Sequence, residues 1–317
     1  MRNLIRTKDM TEINDYARML QCLGHDLLEE AGLTWFSYNG FLRPACMPHE
    51  VPAIEREQAA AALRRSSCPF VRWDSDFGTA VDSKWWYVLR RGPYAIEQLS
   101  GNTRSKIRRG GKRLQARPAS VDEISGQGYQ VCQAAVARYG NQAFLPSRES
   151  FNNKLRAASN FSEQFEFYGI FSNGQLVGFS ENHIQGNAVF WESIWYHPDH
   201  LGNYSSYLLT HSMLDEYLNR RGMQYASDGS RSLYHETNVQ SFLVGKFAFE
   251  RCPARLNLVY SPALALAMGA LRPFRWSIQL AAGHWRVGFL KKLGGLLTQD
   301  AIAHEIAAGT YRKHRGG

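Results

Sequence analysis

Three strand-like runs rich in aromatic and apolar residues, joined by two tight turns, dominate the chain between residues 165 and 198. FEFYGIFS (165–172) is rich in aromatic and β-branched residues. It meets Asn173-Gly174, the pair preferred in a two-residue hairpin turn because both positions tolerate positive φ. QLVGFSENHI (175–184) returns, Gln185-Gly186-Asn187 turns again, and AVFWESIWYHP (188–198) ends at a proline. The pattern predicts an antiparallel meander. Asn203 to Arg221 then predicts a helix, with Leu208, Leu209, Met213, Leu214 and Leu218 along one side. MQYASD (223–228) reads as a strand, Glu236 to Lys246 as a helix and ARLNLVY (254–260) as a last strand. A right-handed crossover makes the strand after the first helix parallel to the third strand of the meander. The expected class is α/β in the α+β sense: a mixed sheet covered by helices.

The flanks differ in character. Residues 11–31 predict an amphipathic helix carrying Ile13, Tyr16, Leu20 and Leu23, and Trp85 to Leu89 a strand. Pro44, Pro48, Pro52 and Pro69 interrupt the stretch between them. Residues 98–121 contain no Asp or Glu, and six of the eleven residues from Arg104 to Leu114 are Arg or Lys. On a helix Arg104, Arg108 and Lys112 share one face, with Arg109 and Arg113 beside them. Like charges so spaced repel, and Gly110 and Gly111 each weaken a helix by about 1 kcal/mol. A stabilising role is therefore the weaker explanation. Phosphate-rich partners fit the segment: a lipid- or nucleotide-linked sugar, or a tRNA acceptor arm. A plain solvated basic face is the alternative. Residues 261–317 predict helices that are apolar yet basic, suited either to packing or to lying on an anionic membrane. Four segments are expected: 1–97, 98–121, 122–260 and 261–317.

Composition narrows the classes. Hydrophobic residues at 44% and charged residues at 21% exclude wholesale disorder. The net charge of +9 favours anionic partners. Five scattered cysteines without a C-x-x-C pair argue against a disulfide framework and against a metal site. No 18-residue apolar run and no signal-like start are present, so a cytoplasmic location is expected, with peripheral membrane contact at most.

Glu192 is the first candidate for chemistry. Side chains alternate along a strand, so Phe190, Glu192 and Ile194 are expected on one face. A carboxylate between apolar neighbours resists ionisation and suits proton transfer from an amine. An outward, solvated Glu192 is the competing reading. A three-residue turn at 185–187 pairs Ser180 with Glu192 and brings Ser180 and Asn182 to the same face; a one-residue bulge breaks that register. Asp228, Gly229, Ser230 and Arg231 follow a strand, where ligands often bind. There Asp228 suits a hydroxyl or amine, Arg231 a phosphate or carboxylate, and His235 proton shuttling.

The element order over 160–260 resembles the GCN5-related N-acyltransferase (GNAT) superfamily. WWYVLRRGPYAIEQLSGNTRSKIRRGGKRL (85–114) resembles the strand and basic helix of the Fem family and its BioF2-like acyltransferase relatives. DGSRSLYHETN and FLVGKFAFE add to the likeness. The resemblance implies a GNAT-like fold with a degenerate second GNAT-like lobe at the amino end. It also implies a glutamate base near Glu192, and a donor pyrophosphate held at the helix start after Tyr196 and His197. In HLGNYSSYLL (200–209) Gly202 is kept, while Asn203 and Ser205 stand where glycine is usual. Ser205 and Ser206 offer hydroxyls instead. Asn203 as a simple N-cap is the plainer reading. Asn238 matches an asparagine that contacts the cofactor arm. Leu243 replaces the usual acid tyrosine, leaving Tyr204 or Tyr234 for that role.

The expected activity is N-acyl transfer to an amine of a cell-envelope or polysaccharide precursor. Acetyl-CoA or another acyl-CoA is the first donor and aminoacyl-tRNA the second, with no metal. Two other readings stand: an inactive acyltransferase-fold module on RNA or an anionic membrane, and a small-molecule acetyltransferase.

Overall fold

A computed structural model describes residues 14–79, 83–139, 145–233, 239–285 and 288–307. Helix α1 (Asp15–Cys22) starts at Asn14, whose side chain accepts from the Ala17 amide. Strands β1 (Leu27–Glu30), β2 (Leu33–Tyr38) and β3 (Phe41–Pro44) follow. Thus the expected helix over 11–31 gives way to a strand at Leu27. Next come α2 (Arg56–Arg65), β4 (Phe70–Ser75), β5 (Trp86–Arg91), α3 (Gly101–Gly111), β6 (Gln115–Ala119), α4 (Val121–Tyr139) and α5 (Arg148–Asn160). The meander is β7 (Phe165–Ser172), β8 (Gln175–Gln185) and β9 (Ala188–Tyr196). A 3₁₀ turn (Pro198–Asn203) leads into α6 (Ser205–Leu214), which runs on as a π-helical turn over Asp215–Arg220. Then come β10 (Tyr225–Ser230), α7 (Val239–Phe247), β11 (Glu250–Pro253), β12 (Arg255–Tyr260), α8 (Pro262–Leu271), α9 (Arg275–Trp285) and α10 (Gly288–Ala307).

Two sheets result, ordered β1-β2-β3-β4-β12 and β11-β5-β10-β9-β8-β7-β6. The Asn173-Gly174 turn forms with φ of 50° and 81°, and β10 runs parallel to β9 as the crossover rule requires.

The sheets repeat one plan. In each, an antiparallel meander (β1–β3, β7–β9) passes through a helix (α2, α6) to a parallel strand (β4, β10). An antiparallel strand from the other half of the chain then pairs with that strand: β12 with β4, and β5 with β10. This exchange crosses two expected boundaries. β5, from the segment 1–97, lies in the larger sheet, and β12, from 122–260, lies in the smaller one. The expected linker 98–121 likewise supplies β6 to the edge of the larger sheet.

Helices α3 and α6 cover one face of the larger sheet, α6 setting Leu209 and Met213 over Ile170, Val177, Val189 and Trp191. The other face carries Phe165, Phe167 and Phe179 against α4, α5 and α1.

Candidate functional site

β9 and β10 stay together only over Ala188–Phe190 and Tyr225–Ser227. Beyond that pairing they part, because β10 keeps to β5 through a bulge between Ser227 and Ser230, with Gly229 at φ 84°. Asp228 lies in that bulge, half-buried. Burial pushes its carboxyl up to about 7, opposed by a hydrogen bond from Gln240. Tyr196, at the far end of β9, is raised by burial, with Thr210 opposing and the Asp228 charge adding.

The 3₁₀ turn then delivers the chain to α6. The residue that caps it is Tyr204, in the left-handed region at φ 63°, ψ 33°. Its side chain makes no capping bond, so the first α6 amides keep their donors free of a side-chain acceptor. Asn203 is therefore not the cap; its Oδ1 accepts from Arg113 Nη1 at 2.9 Å. Ser205 Oγ and the Nδ1 atoms of His197 and His200 are buried there without a hydrogen-bond partner among the described residues. At the corresponding helix of the smaller sheet, α2, Gln58 Oε1 accepts from the Glu55 amide at 2.9 Å.

Helix α3 lies against this turn. A Cβ on Gly110 would stand 3.2 Å from Leu208 Cβ and 3.3 Å from the Tyr204 carbonyl, so glycine is what lets the two helices approach. The approach lines basic side chains along the turn. Lys106 Nζ donates to Tyr207 Oη at 3.2 Å, and Arg109 Nη1 to Tyr204 Oη at 3.5 Å. Hence Lys106, Arg109 and Arg113 face the turn. Arg104, Arg108 and Lys112, the expected binding face, are exposed with no polar contact to it.

Glu192 occupies a bulge. Glu181 pairs with Ser193 and Asn182 with Trp191, which leaves Glu192 as the extra residue. Ser180 consequently faces Ile194, and the expected cluster of Ser180, Asn182 and Glu192 does not form. Ser180 and Asn182 are fully buried: Ser180 Oγ donates to Asn182 Oδ1 at 3.0 Å, and Asn182 Nδ2 to Tyr217 Oη at 2.9 Å. Phe190 and Ile194 pack in different clusters, so the expected apolar enclosure of Glu192 is absent and the residue is exposed.

The bulge is held from below. Glu181, 1% exposed, accepts from Ser193 Oγ (2.6 Å), Trp195 Nε1 (3.2 Å) and Lys154 Nζ (2.6 Å). From the smaller sheet, Tyr38 Oη donates to Glu192 Oε1 at 3.4 Å. The Glu192 charge, and then burial, pushes the Tyr38 phenol up to about 12. Arg43 stacks over Tyr38 (5.6 Å) and Phe36 (6.0 Å). Burial lowers both His25 and His183 nearby, with the Glu192 charge opposing. Sequence reasoning missed Tyr38 and Arg43, because nothing in their spacing tells that the smaller sheet meets β9.

Arg231 Nη1 donates to the Lys84 carbonyl at 2.9 Å, and its guanidinium lies over Trp86. It is thus engaged by the chain around β5. His235 and Asn238 lie outside the described residues, as does Tyr234. Leu243 is buried in the core. Among the described residues no group of His, Cys, Asp and Glu is placed to hold a metal ion.

No protein-family model and no curated protein matches the chain. Solved structures do. One is the C-terminal domain (DUF2156) of a protein assigned as a lysylphosphatidylglycerol synthetase from Agrobacterium fabrum. Its TM-score is 0.52 at 13% identity, covering 83% of this chain and 92% of that one. Another is FemX, with a TM-score of 0.51 at 7% identity, covering 78% and 90%. Both likenesses cover most of this chain and speak for the fold: a mixed α/β, GNAT-like fold of Fem-like layout.

Proposed function

We propose that this chain transfers an acyl or aminoacyl group to an amine. The donor's phosphates sit at the amino end of α6, and the acceptor sits in the cleft beside Glu192. One observation carries the reading. Of the two equivalent helices, α2 has the Gln58 side chain folded back onto the Glu55 amide, while α6 begins with no side-chain cap and with Arg109 and Arg113 beside it. Free amides, the helix dipole and two guanidinium groups together suit an anion.

The donor's reactive carbonyl then reaches between the parted strands β9 and β10. Glu192 takes one proton of the incoming ammonium, the freed amine attacks the carbonyl carbon, the C–S or C–O bond to the donor breaks, and the second proton shed by the attacking nitrogen ends on the leaving thiolate or ribose alkoxide. Tyr204 and Tyr196 are the phenols at hand for that last proton. Arg43 suits an anionic group on the acceptor, as expected of an envelope or polysaccharide precursor. The phosphatidylglycerol in one neighbour's name keeps a lipid acceptor in view.

Acyl-CoA is the first donor to test. The uncapped start of α6 fits its pyrophosphate, but side chains at Asn203 and Tyr204 narrow the approach that glycine would leave. That narrowing, with Leu243 in place of a tyrosine, favours the second reading of a catalytically silent module on RNA or an anionic surface. Thermal-shift titrations with acetyl-CoA and with aminoacyl-tRNA, repeated on Arg109→Glu/Arg113→Glu, decide the matter. The proposal expects a shift with one donor that the double variant abolishes. A shift with bulk RNA alone, and no transfer from either donor, would leave the silent reading.

A further inference from the structure

The carboxyl-terminal helices are anchored on one side only. Helix α10 packs on β12 and α9 packs along α10, with Gln279 Nε2 donating to Thr298 Oγ1 at 2.9 Å. Arg272 grips the buried Asp300 with two bonds, at 2.8 and 3.0 Å, and Tyr260 Oη donates to the same carboxylate. Outward, four large apolar side chains meet no core: Leu266 is 79% exposed, Phe274 61%, Trp276 68% and Leu280 74%. Trp276 and Leu280 stand one turn apart on α9 and so share a face. Helix α8, PALALAMGAL, has no charged residue to solvate it. Scattered apolar residues on a surface need no account; this cluster lies within fifteen consecutive positions, on α8, α9 and the 3₁₀ turn between them.

Charge decides what covers it. From Arg251 to Gln299 there is no Asp or Glu at all, against seven Arg and Lys. Asp300 takes up the charge of Arg272. Arg275, Lys291 and Lys292 make no ion pair among the described residues, and Arg275 lies against the Trp276 ring at 5.2 Å. A second copy of the chain would bury the rings but would bring the same unpaired cations to the interface. Nucleic acid would answer the cations but not Leu266 and Leu280.

We propose that the outer surface of α8 and α9 docks on an anionic lipid bilayer. Leu266, Phe274, Trp276 and Leu280 enter the boundary between headgroups and acyl chains, and Arg275, Lys291 and Lys292 meet the lipid phosphates. The helices lie on the bilayer rather than cross it: among the described residues no helix is long and apolar enough to span one. The inference does not depend on the transfer reaction.

Sedimentation of the full chain with vesicles tests it. One set is phosphatidylcholine; the other is equal parts phosphatidylcholine and phosphatidylglycerol. The chain is expected to partition onto the anionic set on the order of tenfold more strongly, and less so as salt rises. Phe274→Ser/Trp276→Ser/Leu280→Ser is expected to lose on the order of tenfold in partition with an unchanged unfolding midpoint. Should that variant fold poorly, Lys291→Glu/Lys292→Glu, at two exposed sites, carries the same expectation for the anionic vesicles. Equal binding to both sets, no binding to either, or unaltered binding by the variants overturns the proposal. So does a dimer in the ultracentrifuge that the triple variant dissociates while vesicles capture nothing.

Discussion

Tyr38 Oη stands 3.4 Å from Glu192 Oε1, so the one carboxylate that the β8–β9 bulge pushes out of register meets a phenol carried by the other sheet. The contact places Glu192 at the joint between two copies of one plan. If Glu192 is the base, Glu192→Gln keeps the size of the side chain and removes the proton acceptor. Turnover is expected to fall by about 10²–10⁴ while donor affinity holds. Tyr38→Phe removes only a long, neutral donor and is expected to cost less than tenfold. Steady-state rates with a separate donor titration check both, and wild-type turnover in Glu192→Gln removes the residue from the mechanism.

Beneath that contact, Glu181 is buried with three donors on its two oxygens, one of them the Lys154 ammonium. Removing the cation alone strands a buried carboxylate, so Lys154→Met is expected to destabilise by about 3–5 kcal/mol. The double change Lys154→Met/Glu181→Gln leaves no orphan charge and is expected to recover a large part of that loss. Denaturant unfolding of the three proteins measures it. A loss under 1 kcal/mol in Lys154→Met would mean the pair is solvated in solution.

The meander, its Asn-Gly turn, the crossover to a parallel strand and the basic helix were legible because each is encoded within a few neighbouring residues. The site was less so. Ser180, Asn182 and Glu192 were expected on one face, yet a single extra residue at the bulge turned Glu192 away from them, and alternation alone cannot tell where a bulge falls. Mutual spacing alone puts Arg104, Arg108 and Lys112 together on one helix face. The contact of Gly110 with Leu208, nearly a hundred positions on, turns Lys106, Arg109 and Arg113 toward the turn instead. The exchange of β5 and β12 was hidden for the same reason: no local pattern names a strand's partner.

Tyr204 offers a way to separate donor binding from stability. A non-glycine residue in the left-handed region costs about 1 kcal/mol that glycine avoids. Tyr204→Gly is therefore expected to leave the unfolding midpoint unchanged or slightly higher, despite losing the ring's contact with Tyr207. It should also widen the approach to the α6 amides. Tighter acetyl-CoA binding in this variant is the expected calorimetric result; weaker binding would give the Tyr204 side chain a direct hold on the donor.

Asp228 sets a pH dependence whose sign follows from its raised carboxyl. The folded chain holds this proton up to about pH 7, whereas the unfolded chain releases it near 4. Between those values the folded state binds more protons, so the stabilisation is complete below about pH 4 and is lost as pH rises towards 7. Asp228→Asn cannot ionise and keeps a hydrogen-bonding partner for Gln240. Its unfolding midpoint relative to wild type is expected to climb steadily from about pH 4 to about pH 7 and then level. A constant difference across that range would mean that Asp228 ionises in the fold as an ordinary carboxylate does, and that the gap between β9 and β10 is wet.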